Sequence, residues 1–359
     1  YLDSPVVELL QGADGAVTGL KAKNNRTGET YAVRAKAVVL ASGGFPEDRE
    51  MVKRYTGHTF TDVNCSDGGN VLFNYFPGSR LTGDGHKLAW AAGGAKGAMG
   101  INGHNLVPGP GIIGNTPWIT FNETRTIQEQ PYLWVNQNGE RFIDEGQSGN
   151  HMAMGTSIAR QPGKCGYIIF DEDTRLHMEN EGVEFLYFIF PVQKLTDIPG
   201  QFEKLIHEKH NEHAFMADTI EELADKLADQ LPVEVRRPNA PATFQENFIA
   251  TIQKWNEFCE AGEDARFLRP EDTLTPIAEG PFYALELGIQ MYNTQGGPVR
   301  DETGHIVDRD GNPIPHLYSA GELGAIWSDA YNGGGNLGEC TAFGRISGAN
   351  AAADALSQA

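Results

Sequence analysis

Residues 317–324, LYSAGELG, and residues 331–356, YNGGGNLGECTAFGRISGANAAADAL, decide how the rest of this chain is read. A short apolar run stops at Ala320-Gly321-Glu322, and a glycine cluster at 333–335 then leads into a helix of small residues. Glycines ahead of a helix start let bare backbone N–H groups and the positive end of the helix dipole approach something flat or anionic. Along that helix Gly344, Gly348 and Ala352 fall on one face, where a second backbone can pack closely. The pattern is that of a floor for a large ligand.

Working outward, residues 37–41, AVVLA, form a continuous apolar run that predicts a strand covered on both faces. It ends at Ser42-Gly43-Gly44-Phe45. A strand that stops at paired glycines is where an α/β sheet turns its carboxyl edge toward a ligand. Ahead of it, residues 5–41 read as a small antiparallel unit, with strands at 6–10 and 17–23 and turns at 12–15 and 24–28. Residues 82–95, TGDGHKLAWAAGGA, give a tight turn that opens a short helix. From 101 to 288 the texture changes to Pro/Gly loops, strands at 132–136 and 166–171, and amphipathic helices near 197–215, 220–231 and 242–261. This stretch reads as an inserted, mostly helical domain, so the expected division is 1–100, 101–288 and 289–359. Beyond 289 a hairpin at 299–307, a turn at Asp310-Gly311-Asn312 and a strand at 317–320 are expected.

Length and composition exclude several classes. The chain has 359 residues, 40% hydrophobic and 21% charged, enough for two domains with real cores. No apolar run reaches the roughly 18 residues of a membrane span. A net charge of −20 without a basic patch argues against nucleic acid as a partner. Cys65, Cys165, Cys259 and Cys340 stand far apart with no CxxC spacing, which argues against zinc, iron–sulfur and disulfide frameworks. His207, His210 and His213 spread around a helix instead of sharing a face, so no metal site is expected. The chain opens on YLDSPVVELLQG with no initiator Met or targeting segment and reads as a fragment, which leaves localisation unassigned. Of two GxGxxG matches, 109–114 lacks the strand and the helix of the dinucleotide fingerprint, and 333–338 opens a helix but lacks the following strand with its ribose-binding acid.

Taken in order, ASGGF at 41–45, TGDGHKLAWAAGGA at 82–95, LWVNQNGERFIDE at 133–145, YNTQGGPV at 292–299 and the LYSAGELG…GGGN…FGRISGANAA segment resemble the fumarate reductase/succinate dehydrogenase flavoprotein family. That family includes 3-ketosteroid 1-dehydrogenases and ene-reductases. The resemblance implies an α/β fold: an FAD-binding, Rossmann-like domain, here without its N-terminal part, carrying an inserted α+β substrate-capping domain. It implies FAD as cofactor, with Ala41, Ser42, Gly43 and Gly44 on the adenosine and pyrophosphate side. Thr82, Gly83 and Asp84 would lie behind the flavin, Gly321 and Glu322 at the ribityl chain, and Asn336 and Leu337 at the pyrimidine end of the ring. It further implies hydride transfer between FAD and a C=C or CH–CH bond beside a carbonyl or carboxyl group. The implied partners are a small-molecule substrate and an electron-donor protein.

The substrate side departs from the dicarboxylate pattern. The family's acid Arg falls at Gly149, its paired histidines become Tyr292-Asn293, and its carboxylate-clamping Arg falls near Asn332. A dicarboxylate needs bidentate guanidinium partners, so fumarate and succinate fit poorly. Tyr331 resembles the Tyr of ketosteroid dehydrogenases, where a phenol can polarise a carbonyl or supply a proton. His104, His151 and Tyr292 complete the catalytic candidates; a Tyr331 that packs over the ring and a His104 that satisfies loop carbonyls are the structural alternatives. A ketosteroid dehydrogenase-like enzyme and a flavin-binding electron-transfer subunit remain the competing functions.

Overall fold

Turn residues punctuating short apolar runs make the first sheet. β1 (Val6–Gln11), β2 (Val17–Lys23) and β3 (Thr30–Arg34) pair antiparallel, with Leu20 opposite Leu9 on one side and Val33 on the other. This computed structural model describes residues 1–57, 59–60, 71–74, 80–106, 126–186, 193–208, 214–230, 243–324, 326 and 335–358. Cys65, residues 109–114, His210, His213 and Asn332 lie outside them, as does the side chain of His207.

β4 (Val38–Leu40) runs parallel to the strand Pro313–Ser319, which also pairs antiparallel with His305–Val307. The expectation that this strand is covered on both faces is corrected. Val38 and Leu40 join Ile306, Ile314, Leu317 and Leu323 in a buried cluster, but Val39 is 39% exposed. β4 is an edge of its three-stranded sheet, so among the described residues only one face meets a core. The expected hairpin at 299–307 is present: Val307 N–H donates to Val299 O and Asp301 N–H to His305 O, each at 3.0 Å, around an Arg300–Ile306 bridge, and His305–Val307 pairs onward with Pro313–Ser319 across the Asp308 turn. There the Asp308 carboxylate accepts the N–H groups of Asp310 and Asn312, each at 2.9 Å, which closes the turn locally.

The helix Gly335–Ser357 ends the chain, and Ser347 ties it down by donating to Ser319 O at 2.8 Å. Gly304 is the glycine that admits a close approach here, since a Cβ would stand 2.1 Å from Ser347 Oγ. Gly344 and Gly348 meet no described atom within 4 Å of such a Cβ.

The chain forms two compact units: Tyr1–His58, Phe76–Asn102 and Met291–Ala359 in one, Thr59–Tyr75 and Gly103–Gln290 in the other. In the second, helices accompany antiparallel strands. Gly166–Phe170 pairs with Leu133–Asn136 on one side and with the long strand Phe282–Pro298 on the other. Residues 197–215, expected as one helix, divide: the helix Ile198–Glu208 stops, and Ala214–Ala217 is a strand on the far edge of Phe282–Pro298. Pairing Phe215 with Ala284 in a buried sheet overrides the local helical pattern. The helix Phe244–Ala261 starts with a reciprocal Thr243–Glu246 capping box and stops at Gly262 in the left-handed region.

The RFIDE motif of this unit is a buried charge network. Arg141 donates Nε to Glu145 Oε1 at 2.9 Å and Nη2 to Asp264 Oδ2 at 2.9 Å, and Arg269 Nη1 reaches Glu145 Oε2 at 3.2 Å. Trp134 N–H adds a bond to Glu145 at 3.2 Å, and the Arg141 guanidinium lies 4.6 Å from the Trp255 ring centre. Every one of these groups finds a counter-charge or donor, as burial of charge requires.

Candidate functional site

Four turns of the first unit meet through backbone bonds. Gly83 N–H donates to Gly44 O at 3.2 Å, and Ala320 N–H donates to Leu40 O at 3.0 Å. The spaces between them are closed to side chains. A Cβ on Gly44 would lie 2.0 Å from both Glu322 Oε1 and Thr294 Oγ1, and one on Gly85 would lie 2.1 Å from Ser42 Oγ. Glycine at 44 is therefore a packing requirement that brings the turn 41–45 against residues 294 and 322.

Thr294 is the hub. Its N–H and hydroxyl donate to Glu322 Oε1 at 2.9 and 2.7 Å, while its Oγ1 accepts Phe45 N–H at 2.9 Å. Burial pushes the Glu322 carboxyl above its ordinary range, opposed by the bonds from Thr294 and from Gly44 N–H. Beside it the Thr82 hydroxyl donates to Asp84 Oδ1 at 3.1 Å, where Gly83, at φ +71°, caps the helix Asp84–Ala91.

His86, on that helix, is fully buried and its Nε2 faces Gly296 O at 3.2 Å. A carbonyl accepts only, so Nε2 carries the proton and donates. Gly324 N–H donates to the same oxygen at 3.3 Å. The imidazole stands edge-on to Phe45 with centroids 5.2 Å apart, and its Nδ1 has no partner among the described residues. Burial holds its pKa down to about 4, so the ring is neutral near pH 7. Gly296 itself sits at φ +83°, where a Cβ would strike Ala98 O.

Arg300 fixes the remaining turn. Buried against Phe343, with 4.3 Å from its guanidinium carbon to the ring centre, it donates to Leu323 O at 3.1 Å and Gly321 O at 3.3 Å. It also pairs with Glu339 on the helix Gly335–Ser357, linking the Gly321-Glu322 turn to that helix. Burial lowers the Arg300 pKa to about 10, which still leaves it charged.

Ser42, Gly43, Gly44, Thr82, Gly83, Asp84, Gly321 and Glu322 are thus neighbours, and Asn336 is reached through Gln295 Nε2 at 3.4 Å. Ala41 and Leu337 are exposed. Tyr331 lies outside the described residues. His104 falls in the strand Lys96–Leu106, His151 opens the helix His151–Ala159 and Tyr292 lies in Phe282–Pro298, but their side chains are not among those described. Sequence reasoning missed Thr294, Gln295, His86, Arg300 and Glu339. The Thr-x-Gly-Gly run was a signal for the first two, and no local pattern announces the others.

Among the described residues, the buried polar atoms of this cluster that lack partners include Gln295 Oε1, His86 Nδ1 and Arg300 Nε. Orphaned groups beside a glycine-lined helix start suit a large ligand carrying its own donors and negative charge. A dinucleotide with a polar ring edge fits that set. The FAD binding domain family matches residues 1–337, and the chain belongs to that family. Its cofactor is FAD.

Vinyl phenol reductase of Lactiplantibacillus plantarum is 28% identical over 96% of this chain and 65% of its own length. Urocanate reductase of Eggerthella lenta is 29% identical over 96% of this chain and 49% of its own. The chain therefore spans about half to two thirds of the length of these two relatives. Among solved structures, the 3-ketosteroid Δ1-dehydrogenase of Sterolibacterium denitrificans is similar in fold, with a TM-score of 0.68 at 23% identity, covering 99% of this chain and 60% of that one.

Proposed function

We propose that this chain carries the flavin-ring side of an FAD-dependent oxidoreductase that acts on a C=C or CH–CH bond conjugated to a carbonyl or carboxyl group, fumarate itself excepted. The observation that carries the reading is the convergence of four glycine turns on Thr294 and Glu322, in a chain of the FAD binding domain family. The relatives, reductases of vinyl phenol and of urocanate, favour reduction of a conjugated double bond.

Bound FAD supplies hydride exchange with a substrate carbon. Glu322, held by Thr294 and Gly44, is positioned to accept from a ribityl hydroxyl, and Ser42, Gly43, Gly44, Thr82, Gly83 and Asp84 would line the cofactor behind it. Ala41, Gly321, Asn336 and Leu337 complete the proposed contacts. The helix Gly335–Ser357 presents its N-terminal end, which favours negative charge on a ligand there. Tyr331 is the proposed proton donor or carbonyl polariser, with His104, His151 and Tyr292 as the other acids to test, and residues 101–288 take the substrate-side role.

The test is anaerobic. The FAD-loaded protein is bleached with a chemical reductant and challenged with enoates, vinyl phenols and 3-oxosteroids. Recovery of the oxidised flavin spectrum by enoates or vinyl phenols supports the reductase. Bleaching of the oxidised protein by a saturated 3-oxosteroid would favour the ketosteroid dehydrogenase reading, for which Tyr331 speaks. No response to any of them would leave an electron-transfer subunit.

A further inference from the structure

Gln295 occupies the open place of Thr294-x-Gly296-Gly297, and everything around it is fastened without using its side chain. Thr294 is tied to Glu322 and Phe45, and Gly296 O takes donors from His86 and Gly324. The Gln295 side chain is fully buried. One amide N–H is given to Asn336 Oδ1 at 3.4 Å, at the start of the helix Gly335–Ser357, while Oε1 has no donor among the described residues. An amide has two N–H donors and an oxygen with two lone pairs, so one donor and the whole acceptor remain uncommitted in a dry setting. Leaving such a group unsatisfied is costly, and native structures rarely do so without a ligand or water to complete it.

The uncommitted pair has a definite complement. The polar edge of a flavin ring is an imide: an N–H flanked by two carbonyls. A primary amide offers an acceptor and a donor side by side, which matches that edge with two parallel hydrogen bonds. We propose that Gln295 is a cofactor-recognition residue that accepts the flavin N3–H on Oε1 and gives its remaining N–H to an adjoining ring carbonyl. Asn336 holds the amide in the orientation that presents this pair. The proposal rests on the FAD reading above and assigns a group to a ring position that the reading leaves open.

The experiment titrates the apoprotein with FAD and with 3-methyl-FAD, which lacks the N3 proton, and follows the visible spectrum and dissociation constant. The wild-type protein is expected to bind FAD about tenfold more tightly than 3-methyl-FAD, the weight of one buried hydrogen bond. Gln295→Met, similar in size but without the amide, is expected to bind the two flavins alike. Gln295→Glu keeps an acceptor and is expected to retain discrimination with weaker binding of both. Equal binding of both flavins by the wild type overturns the proposal without recourse to any variant. So does a folded Gln295→Met protein that still discriminates, because another group would then be reading N3–H. A wild-type protein that binds neither flavin overturns the FAD reading instead, and the proposal with it.

Discussion

The glycine turns around Thr294 and the charge network around Arg141 treat their polar groups in opposite ways. At Arg141 each buried charge is answered: Glu145 and Asp264 share the guanidinium, and Arg269 adds bonds to Glu145, Pro131 O and Thr273 O. Around Thr294 polar atoms are left over among the described residues, Gln295 Oε1, His86 Nδ1 and Arg300 Nε among them. A network that closes on itself has nothing to offer a ligand and acts as scaffold. One that stops short keeps donors and acceptors in reserve. Buried charge by itself is therefore a poor marker of a site.

The contrast can be broken hardest at Arg141. Arg141→Ala strands Glu145 and Asp264 in the interior and should lower stability to urea by about 3–5 kcal/mol, with FAD affinity per folded molecule unchanged. Loss of FAD affinity at full stability would move Arg141 into the site. Acid probes the other region. The folded His86 pKa of about 4 lies below its unfolded value, so the unfolded chain binds the extra proton. That contribution is complete above about pH 6.5 and lost as pH falls toward 4, by up to about 3 kcal/mol. His86→Phe should flatten this part of the stability–pH curve, and an unchanged slope would show that the ring does not titrate there.

Thr294→Val sharpens the comparison at the hub. It leaves Phe45 N–H and Glu322 short of partners, and about 1–3 kcal/mol of stability should go, together with FAD affinity. The smallest effect belongs to Thr243→Ala, which removes the capping box of Phe244–Ala261. A cost of about 1 kcal/mol in thermal or urea unfolding is expected, with FAD titration indistinguishable from wild type.

Much of this was legible along the chain because turns and caps are local. Gly43-Gly44, Gly83 and Gly321 were visible as turns, and the strands 6–10 and 17–23, joined by the turn at 12–15, predicted their own pairing. The hub was not, since Thr294 meets Phe45 across 249 residues, and Arg141 meets Asp264 across 123. Such polar pairs follow from tertiary placement and leave no periodicity. Val39 was misread for a related reason. An apolar run in a strand resembles a doubly covered one whether or not a second layer is packed on it. The strand Ala214–Ala217 was misread because sheet pairing outweighed the preceding helical pattern.

Hydrogen exchange with and without FAD tests the central contrast most directly. FAD should slow exchange at 41–45, 82–86, 294–297 and 321–324 and leave 133–145 and 264–273 as they were. Unchanged exchange at the four turns, or protection confined to the Arg141 segments, would contradict it.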